Sequence, residues 1–455
     1  MTFVDKVLEK FEKKKPMAVM ARMLIANTLS EKCLDAIFVK HCIRQVDGEL
    51  LFSTVADMMG EVVLKIQPTI NASYVDRELS VSVNSVYNKL QGIEKQVSRA
   101  VVKETAAKMI EISKQLRVFE PPLVEGYRTK IIDGNHLRRT DSRIGELREI
   151  NVAPLPGKSL VVYDPQYRLA IDMLPCQCGH ASERTMLPDL LETIEKNDLV
   201  VADRNFCTIG FLFGIDKAKA KFTIRQHGQM PFTLKGRRRR VGEIETGVVY
   251  EQTIQCVDES GSIRNFRRVT VHLYEPTRDG DVEIHVITNL PKRVGATRVA
   301  NLDRKRWTIE TAFQNMAENL EGEIKTLGYP KAALFSFCMA LVSYNVFSII
   351  RSTVQAVHGE QAAANLSIYY VTNEIAKATD GMSVVIDSEC WREKYCLLTP
   401  KQLAAELKRV AQQINLKKYK KNKWTPKNKA RPDRDKTNRQ HASTYKILQA
   451  SRTIA

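Results

Sequence analysis

Apolar residues in the first quarter of the chain recur at threes and fours. "MAVMARMLIANTLSEKCLDAIF", "LLFSTVADMMGEVVLKI" and "RAVVKETAAKMIEISKQL" each carry one apolar stripe, so residues 1–118 read as helical throughout. Between the last two lies "DRELSVSVNSVYNKLQGIE". There Glu78–Val81 reads as the end of one short helix, and Ser82 as the N-cap of a second over Val83–Leu90. "FEPPLVEGYR" at 119–128 is a proline-bearing break and a domain boundary. After it the period changes. "RTKIIDGNHL", "GKSLVVYDPQ" and "YRLAIDMLP" are short β-branched runs bounded by Gly, Pro and Asp, the pattern of successive strands. "SERTMLPDLLETIEKN" reads as a helix, and "DLVVADRNF" and "AKFTIRQH" as further strands. Strands, a helix and then a buried strand make an α/β domain with a central sheet.

From about 229 to 280 the pattern becomes Arg-rich hairpin material, "PFTLKGRRRRVG", "GVVYEQTIQCV" and "SIRNFRRVTVHLYEP". It reads as a strand-rich insertion in the α/β domain rather than its continuation. "DVEIHVITNLP" resumes a strand, and "LDRKRWTIETAFQ" (302–314) opens a helix. The next run, "AALFSFCMALVSYNVFSII", approaches the length of a membrane span. Ser336, Ser343, Tyr344 and Asn345 interrupt it and a charged helix precedes it, so it is expected to be a buried core helix with no role in a membrane. Residues 365–416 read as further helix. Lys417–Arg439 is dense in Lys and Arg and poor in apolar residues, a segment expected to be flexible without a partner. The chain thus divides into a helical part at 1–118, an α/β part at 119–350, and a helical C-terminal region with a basic tail at 351–455.

Composition changes this picture in one respect. With 44% apolar and 27% charged residues, the 455-residue chain is ordinary, but its formal charge of +18 is not. Such an excess draws a protein to polyanions, nucleic acid above all. On that basis the helix from Ser82 is a candidate DNA reader. It shows Asn84, Ser85, Tyr87, Asn88 and Lys89, groups that suit base edges and phosphates in a major groove. An ordinary helical hairpin would give the same pattern. Nine scattered cysteines, an odd number, point to reduced thiols in a cytosol. "MTFVDKVLEKFEKKKP" has no apolar signal segment, so a cytoplasmic location is expected.

Three acids stand where chemistry would need them. Asp133 ends the apolar run "KIID", Asp203 ends "LVVAD", and Glu310 lies early on a helix. Groups at the carboxyl ends of strands converge on one edge of an open sheet. Carboxylates gathered there repel one another unless cations join them. Mg²⁺ takes oxygen ligands, and two such ions clamp the attacking and leaving oxygens of a phosphoryl displacement. A strand-ending Asp also commonly caps a turn. Asp164, Asp172 and Asp141 are rivals for the first position. Asp133 is favoured because Gly134 lets the backbone turn tightly just after it. Arg306 and Glu310, four apart, would equally form an i,i+4 ion pair on a solvated helix.

These stretches, "IIDGNHL", "VVADRNF" and "RKRWTIETAFQ", together resemble the insertion-sequence DDE transposases of the IS-four family. The resemblance covers about residues 120–350 and implies an RNase H-like catalytic core interrupted by a β-rich insertion between Asp203 and Glu310. It implies an Asp133, Asp203, Glu310 triad that is both catalytic and metal-binding, with Mg²⁺, replaceable by Mn²⁺. The implied reaction is hydrolysis at the transposon ends, then attack of the freed 3′-hydroxyl on target DNA, by a homodimer in the DNA complex. The family's signature around the Glu is Tyr, two residues, Arg, three residues, Glu, six residues, Lys. Arg306 and Glu310 match it, whereas Asp303 stands at the Tyr position and Ala317 at the Lys position. By the resemblance Arg306 grips end phosphates, and Arg304, Lys305 or Lys325 are the basic residues at hand to replace the missing Lys. The departures also permit a decayed or repurposed transposase that binds DNA without cutting it. A two-metal nuclease indifferent to the ends is a third possibility.

Other features have a functional and a plain reading. Trp307 suits stacking on a base, though a Trp beside an apolar stripe is more often core. Arg237, Arg238, Arg239 and Arg240 suit phosphate contacts, or form a solvated turn. Cys176, Cys178 and His180 are too few ligands for zinc. The tail's Lys and Arg, with Tyr419 and Trp424 interleaved, would add salt-dependent DNA affinity.

Overall fold

The computed structural model describes residues 3–45, 48–137, 144–147, 153–277, 279–324, 326–421 and 441–454. The N-terminal periodicity becomes helices α1 (Phe3–Lys14), α2 (Pro16–Thr28), α3 (Glu31–His41), α4 (Phe52–Val63), α5 (Ile70–Val75), α6 (Val83–Gly92) and α7 (Lys95–Leu116). Ser82 caps α6 as expected, its hydroxyl accepting from the Ser85 N–H. The helix before it stops at Val75 rather than reaching Val81. The Tyr74 hydroxyl donates to the Val81 carbonyl at 2.9 Å and ties the intervening loop back onto α5.

The α/β part contains strands β1 (Arg128–Leu137), β2 (Ala153–Leu155), β3 (Gly157–Asp164) and β4 (Leu169–Cys176), then α8 (Leu187–Leu191), β5 (Asp198–Ala202), α9 (Ile209–Lys217) and β6 (Lys221–Arg225). The helix expected over "SERTMLPDLLETIEKN" is shorter, a 3₁₀ turn at Glu183–Met186 followed by α8. Backbone groups beyond it find other partners. The Thr193 carbonyl accepts from the Lys130 ammonium at 2.8 Å, and the Glu195 N–H donates to Asp198 at 2.7 Å. The Arg-rich strands are β7 (Thr233–Ile244), β8 (Gly247–Val257) and β9 (Ile263–Leu273), and β10 (Glu283–Thr288) follows. Then come α10 (Ala296–Lys305), α11 (Trp307–Asn319), α12 (Pro330–His358), α13 (Glu360–Ala364), α14 (Ile368–Val385), α15 (Ser388–Tyr395) and α16 (Pro400–Ala411), and finally β11 (His441–Ser443) and α17 (Thr444–Ile454).

The main sheet has nine strands in the order β4-β3-β1-β5-β6-β10-β9-β8-β7, with β5 parallel to both β1 and β6 and the other pairs antiparallel. The insertion therefore does not stand apart: β9 pairs with β10, and β7–β9 extend the same sheet at one edge. Alternation of side chains splits the core in two. Ile131, Val161 and Val201 join a cluster with residues of α7 and α12, while Ile132, Val162 and Val200 join Leu190, Phe211 and Leu212 of α8 and α9. α12 is the apolar helix, with 94% of its most apolar window buried inside the protein, as expected of a core helix. Helices from both termini pack around it.

β4 is an edge strand, and α12 closes its edge. The Asn345 amide donates to the Ala170 carbonyl and accepts from the Ala170 N–H, each at 2.8 Å. Asn345 is fully buried, so the polar interruption in the apolar run is a backbone partner for the sheet. Asn345→Leu would leave both backbone groups of Ala170 buried and unpaired. A loss of roughly 2–4 kcal/mol is expected in denaturant unfolding, while Ser343→Ala, a hydroxyl the sheet does not use, should cost much less.

Candidate active site

β1 and β5 run parallel in a five-pair register that ends at Ile132 opposite Ala202. The next residues are Asp133 and Asp203, so the ladder brings the two acids side by side where β5 stops. β1 itself continues to Leu137, still paired with β3, and Gly134 sits opposite Leu160. Gly134 is therefore not the turn that the sequence suggested. Asp203 leaves the strand and caps a 3₁₀ turn at Arg204–Phe206, accepting from the Asn205 N–H at 2.8 Å. The capping reading thus holds for the same residue that the sequence singles out as a candidate site acid.

Glu310 comes from the first turn of α11, which packs on β1. Arg306, at the junction of α10 and α11, is buried, and its Nη1 lies 2.5 Å from Glu310 Oε1 and 3.5 Å from Asp133 Oδ2. The i,i+4 pair exists, but it is not a solvated one: it draws a third group, Asp133, into the same cluster. Burial pushes the Asp133 carboxyl up to about 6. The Arg306 charge and the Gly134 N–H oppose that shift, and the negative charges of Asp203 and Glu310 add to it. Such crowding of carboxylates is what a divalent cation relieves, and an all-oxygen donor set suits a hard ion. Among the described residues no three Asp, Glu, His or Cys side chains stand in metal-holding geometry.

The rivals for the first acid have structural work. Asp164 is fully buried, pairs with Arg128 at 2.9 Å and accepts from the Gln166 N–H. Asp172 takes both branches of the Arg99 guanidinium, at 3.0 and 2.9 Å, joining β4 to α7. Asp141 and Lys325 lie outside the described residues, as does Trp424.

Glu183 is a fourth acid that the sequence reading did not single out. It opens the 3₁₀ turn before α8, and a Cβ added to Gly134 would come within 2.1 Å of its Oε1. Burial raises its carboxyl, and the charge of Asp203 raises it further, against Lys158 and a hydrogen bond from Asn205. The one sequence signal was the glycine beside Asp133, whose use is room rather than a turn.

The basic and aromatic candidates are unequal. Trp307 is 57% exposed, against the usual preference of such a Trp for the core, and it borders an open cavity of about 1030 Å³ together with Arg304, Tyr274 and Glu275. Arg304 pairs with Glu245 at 2.9 Å, and Lys305 is exposed. Arg237–Arg240 lie along the exposed edge strand β7 rather than a turn. Arg238 is held by Glu283 and stacks 4.3 Å above Tyr250, and Arg240 pairs with Glu243. Arg237 and Arg239 have no ion pair among the described residues. On α6, Asn84 and Asn88 are exposed, but Ser85 bonds the Ser82 hydroxyl and the Lys89 ammonium bonds the Leu50 carbonyl at 2.5 Å. Tyr419 is buried with its hydroxyl 2.6 Å from Glu374, so it is not a stacking surface. Cys178 Sγ lies 3.3 Å from the Ser443 hydroxyl.

The departures from the signature also have places. Asp303 is buried and pairs with Arg225 of β6 at 2.8 Å, fastening α10 to the sheet. Ala317 borders a small cavity with Asn135, Met316 and Phe337. Arg225→Ala would leave Asp303 buried without its cation. A loss of about 2–3 kcal/mol is expected by thermal or denaturant unfolding, and Asp303→Asn should recover part of it in the double variant.

No curated protein matches the chain. Residues 126–346, the segment holding β1, β5 and α11, match the family model described as the transposase DDE domain, and the chain carries that domain.

Proposed function

We propose that this protein is an insertion-sequence transposase of the IS-four group that cuts DNA at its transposon ends and joins the freed 3′-hydroxyl to target DNA. The observation that carries the reading is the β1–β5 register, which leaves Asp133 and Asp203 adjacent with Arg306 and Glu310 against them. The matched transposase DDE domain supplies the reaction class and the DNA substrate. The core is taken as RNase H-like, with β7–β9 as the insertion.

Asp133, Asp203 and Glu310 would hold the metal. Paired magnesium ions, or manganese in their place, would supply Lewis acidity for the phosphoryl transfer. The protein's own work is positioning. The ladder keeps Asp133 and Asp203 in fixed relation, and α11 delivers Glu310 from above β1. Arg306, once its carboxylate partners are engaged elsewhere, is free to offer its planar fork to a phosphate of the transposon end. Water and then a DNA 3′-hydroxyl act as nucleophiles, so no protein side chain bonds to DNA. Arg237, Arg239 and Lys305, with Asn84 and Asn88 on α6, form the DNA contacts best supported by exposure. Two copies acting on paired ends in the cytoplasm complete the proposal.

One observation favours a second reading. Arg306 hydrogen-bonds Glu310 and ion-pairs with Asp133 at 3.5 Å, which would also suit a transposase descendant that binds DNA without cutting it. Nicking of DNA bearing the inverted repeats separates the two. Cleavage should need Mg²⁺ or Mn²⁺, stop on chelation, and be abolished by Asp133→Ala, Asp203→Ala or Glu310→Ala. Tight end binding by the wild type without any cleavage would favour the second reading. Equal cutting of DNA lacking the ends would indicate an unspecific nuclease instead.

Phosphate contacts have their own signature. Replacing Arg237 and Arg239 by Ala should weaken binding alike on all sequences and lower the slope of log affinity against log salt by about one per residue. Fluorescence anisotropy at several salt concentrations measures it.

A further inference from the structure

Glu183 and Glu310 reach the same strand from opposite faces of the sheet. Alternation along β1 sends Ile131 and Asp133 toward α11 and α12, and Ile132 and Gly134 toward α8 and α9. Glu310 descends on the first face. Glu183, from the turn preceding α8, occupies the second, in the space that the missing side chain of Gly134 leaves open. Its side chain is only 15% exposed, and His136 Nε2 of β1 stands 3.7 Å away.

The turn carrying Glu183 is also tied to the turn carrying Asp203. Arg184 Nε donates to the Asn205 carbonyl at 3.0 Å, and Asn205 donates its N–H to Asp203 at 2.8 Å. The turn of one largely covered acid is thereby fastened to the turn of another, although two carboxylates brought toward one another without a cation are unfavourable. The charge of buried Lys158 acts on Glu183 in the opposite sense to that of Asp203.

We infer that Glu183 is a fourth carboxylate of the metal centre, facing the cation that Asp203 helps to hold, while Glu310 serves the other side of Asp133. The inference rests on the proposed Asp133–Asp203–Glu310 site. It assigns Gly134 a purpose: any side chain there would drive Glu183 away from Asp203. The rival role for Glu183 is that of counter-ion to Lys158 alone.

Mn²⁺ titration of the full-length protein, followed by the electron paramagnetic resonance of free Mn²⁺, tests it, with thermal melting alongside. Glu183→Gln keeps the shape and removes the charge. It should remain folded, bind Mn²⁺ roughly tenfold or more weakly, and shift the Mn²⁺ dependence of end cleavage to higher concentration. Gly134→Ala, which displaces Glu183 without removing it, should reproduce the weaker Mn²⁺ binding. If Glu183→Gln lowers only the melting temperature and binds Mn²⁺ like the wild type, Glu183 is the Lys158 counter-ion and the inference fails. Asp203→Asn separates this from the parent reading. Loss of Mn²⁺ binding in Asp203→Asn but not in Glu183→Gln overturns only the fourth carboxylate, whereas wild-type binding no stronger than Asp203→Asn overturns both.

Discussion

The parallel ladder between β1 and β5 is the constraint from which the site follows. Its pairing runs from Arg128 opposite Asp198 to Ile132 opposite Ala202, and every residue of β5 is buried. Side chains on such a strand cannot slip by one position without moving an entire apolar set to the other face of the sheet. The register is therefore held by both cores at once, and the adjacency of Asp133 and Asp203 is held with it. Neither acid contributes to the packing that brings it there. The cost of gathering two carboxylates is met by apolar burial of the strands behind them.

Charge balance around those acids depends on residues far apart along the chain. Arg306 answers Asp133 and Glu310, Arg225 answers Asp303, and Arg99 answers Asp172. In each case a buried or half-buried carboxylate meets a guanidinium, and Arg99 alone engages its partner through two nitrogens. Asp303, which departs from the signature, is thus integrated in the packing between α10 and β6. Its presence reflects how this chain fastens the helix that leads into Glu310, and it leaves the acids themselves untouched.

Much of this was legible in order along the chain, because it depends on local pattern. The runs "KIID" and "LVVAD" end in acids, and the strands they predict exist. The helical stripes of the N-terminus and the polar breaks within α12 were equally readable. What could not be read were the long-range pairings. Nothing near Arg237 tells that β7 is an edge strand of the central sheet, since that follows from β9 finding β10. Nothing near Glu183 tells that it lies over Gly134, because the two meet only when the turn before α8 folds over β1. Trp307 was assigned by average behaviour, and a helix that turns its first residue outward escapes the average.

The helical parts at the two ends of the chain are not appendages to this sheet. Val86 and Leu90 of α6 belong to the same buried cluster as Ile131 and Val201, and so do Leu403 and Leu407 of α16. Packed interiors of this kind move as units and transmit displacement rather than absorb it. If α6 reads the transposon end as proposed, the base pairs it contacts are held at a set distance from Asp133 by continuous packing, with no linker between reader and cutter. Choice of the cleaved phosphate would then be a property of the folded core, and cavities opened between α6 and α12 should blur the cleavage position before they weaken DNA binding.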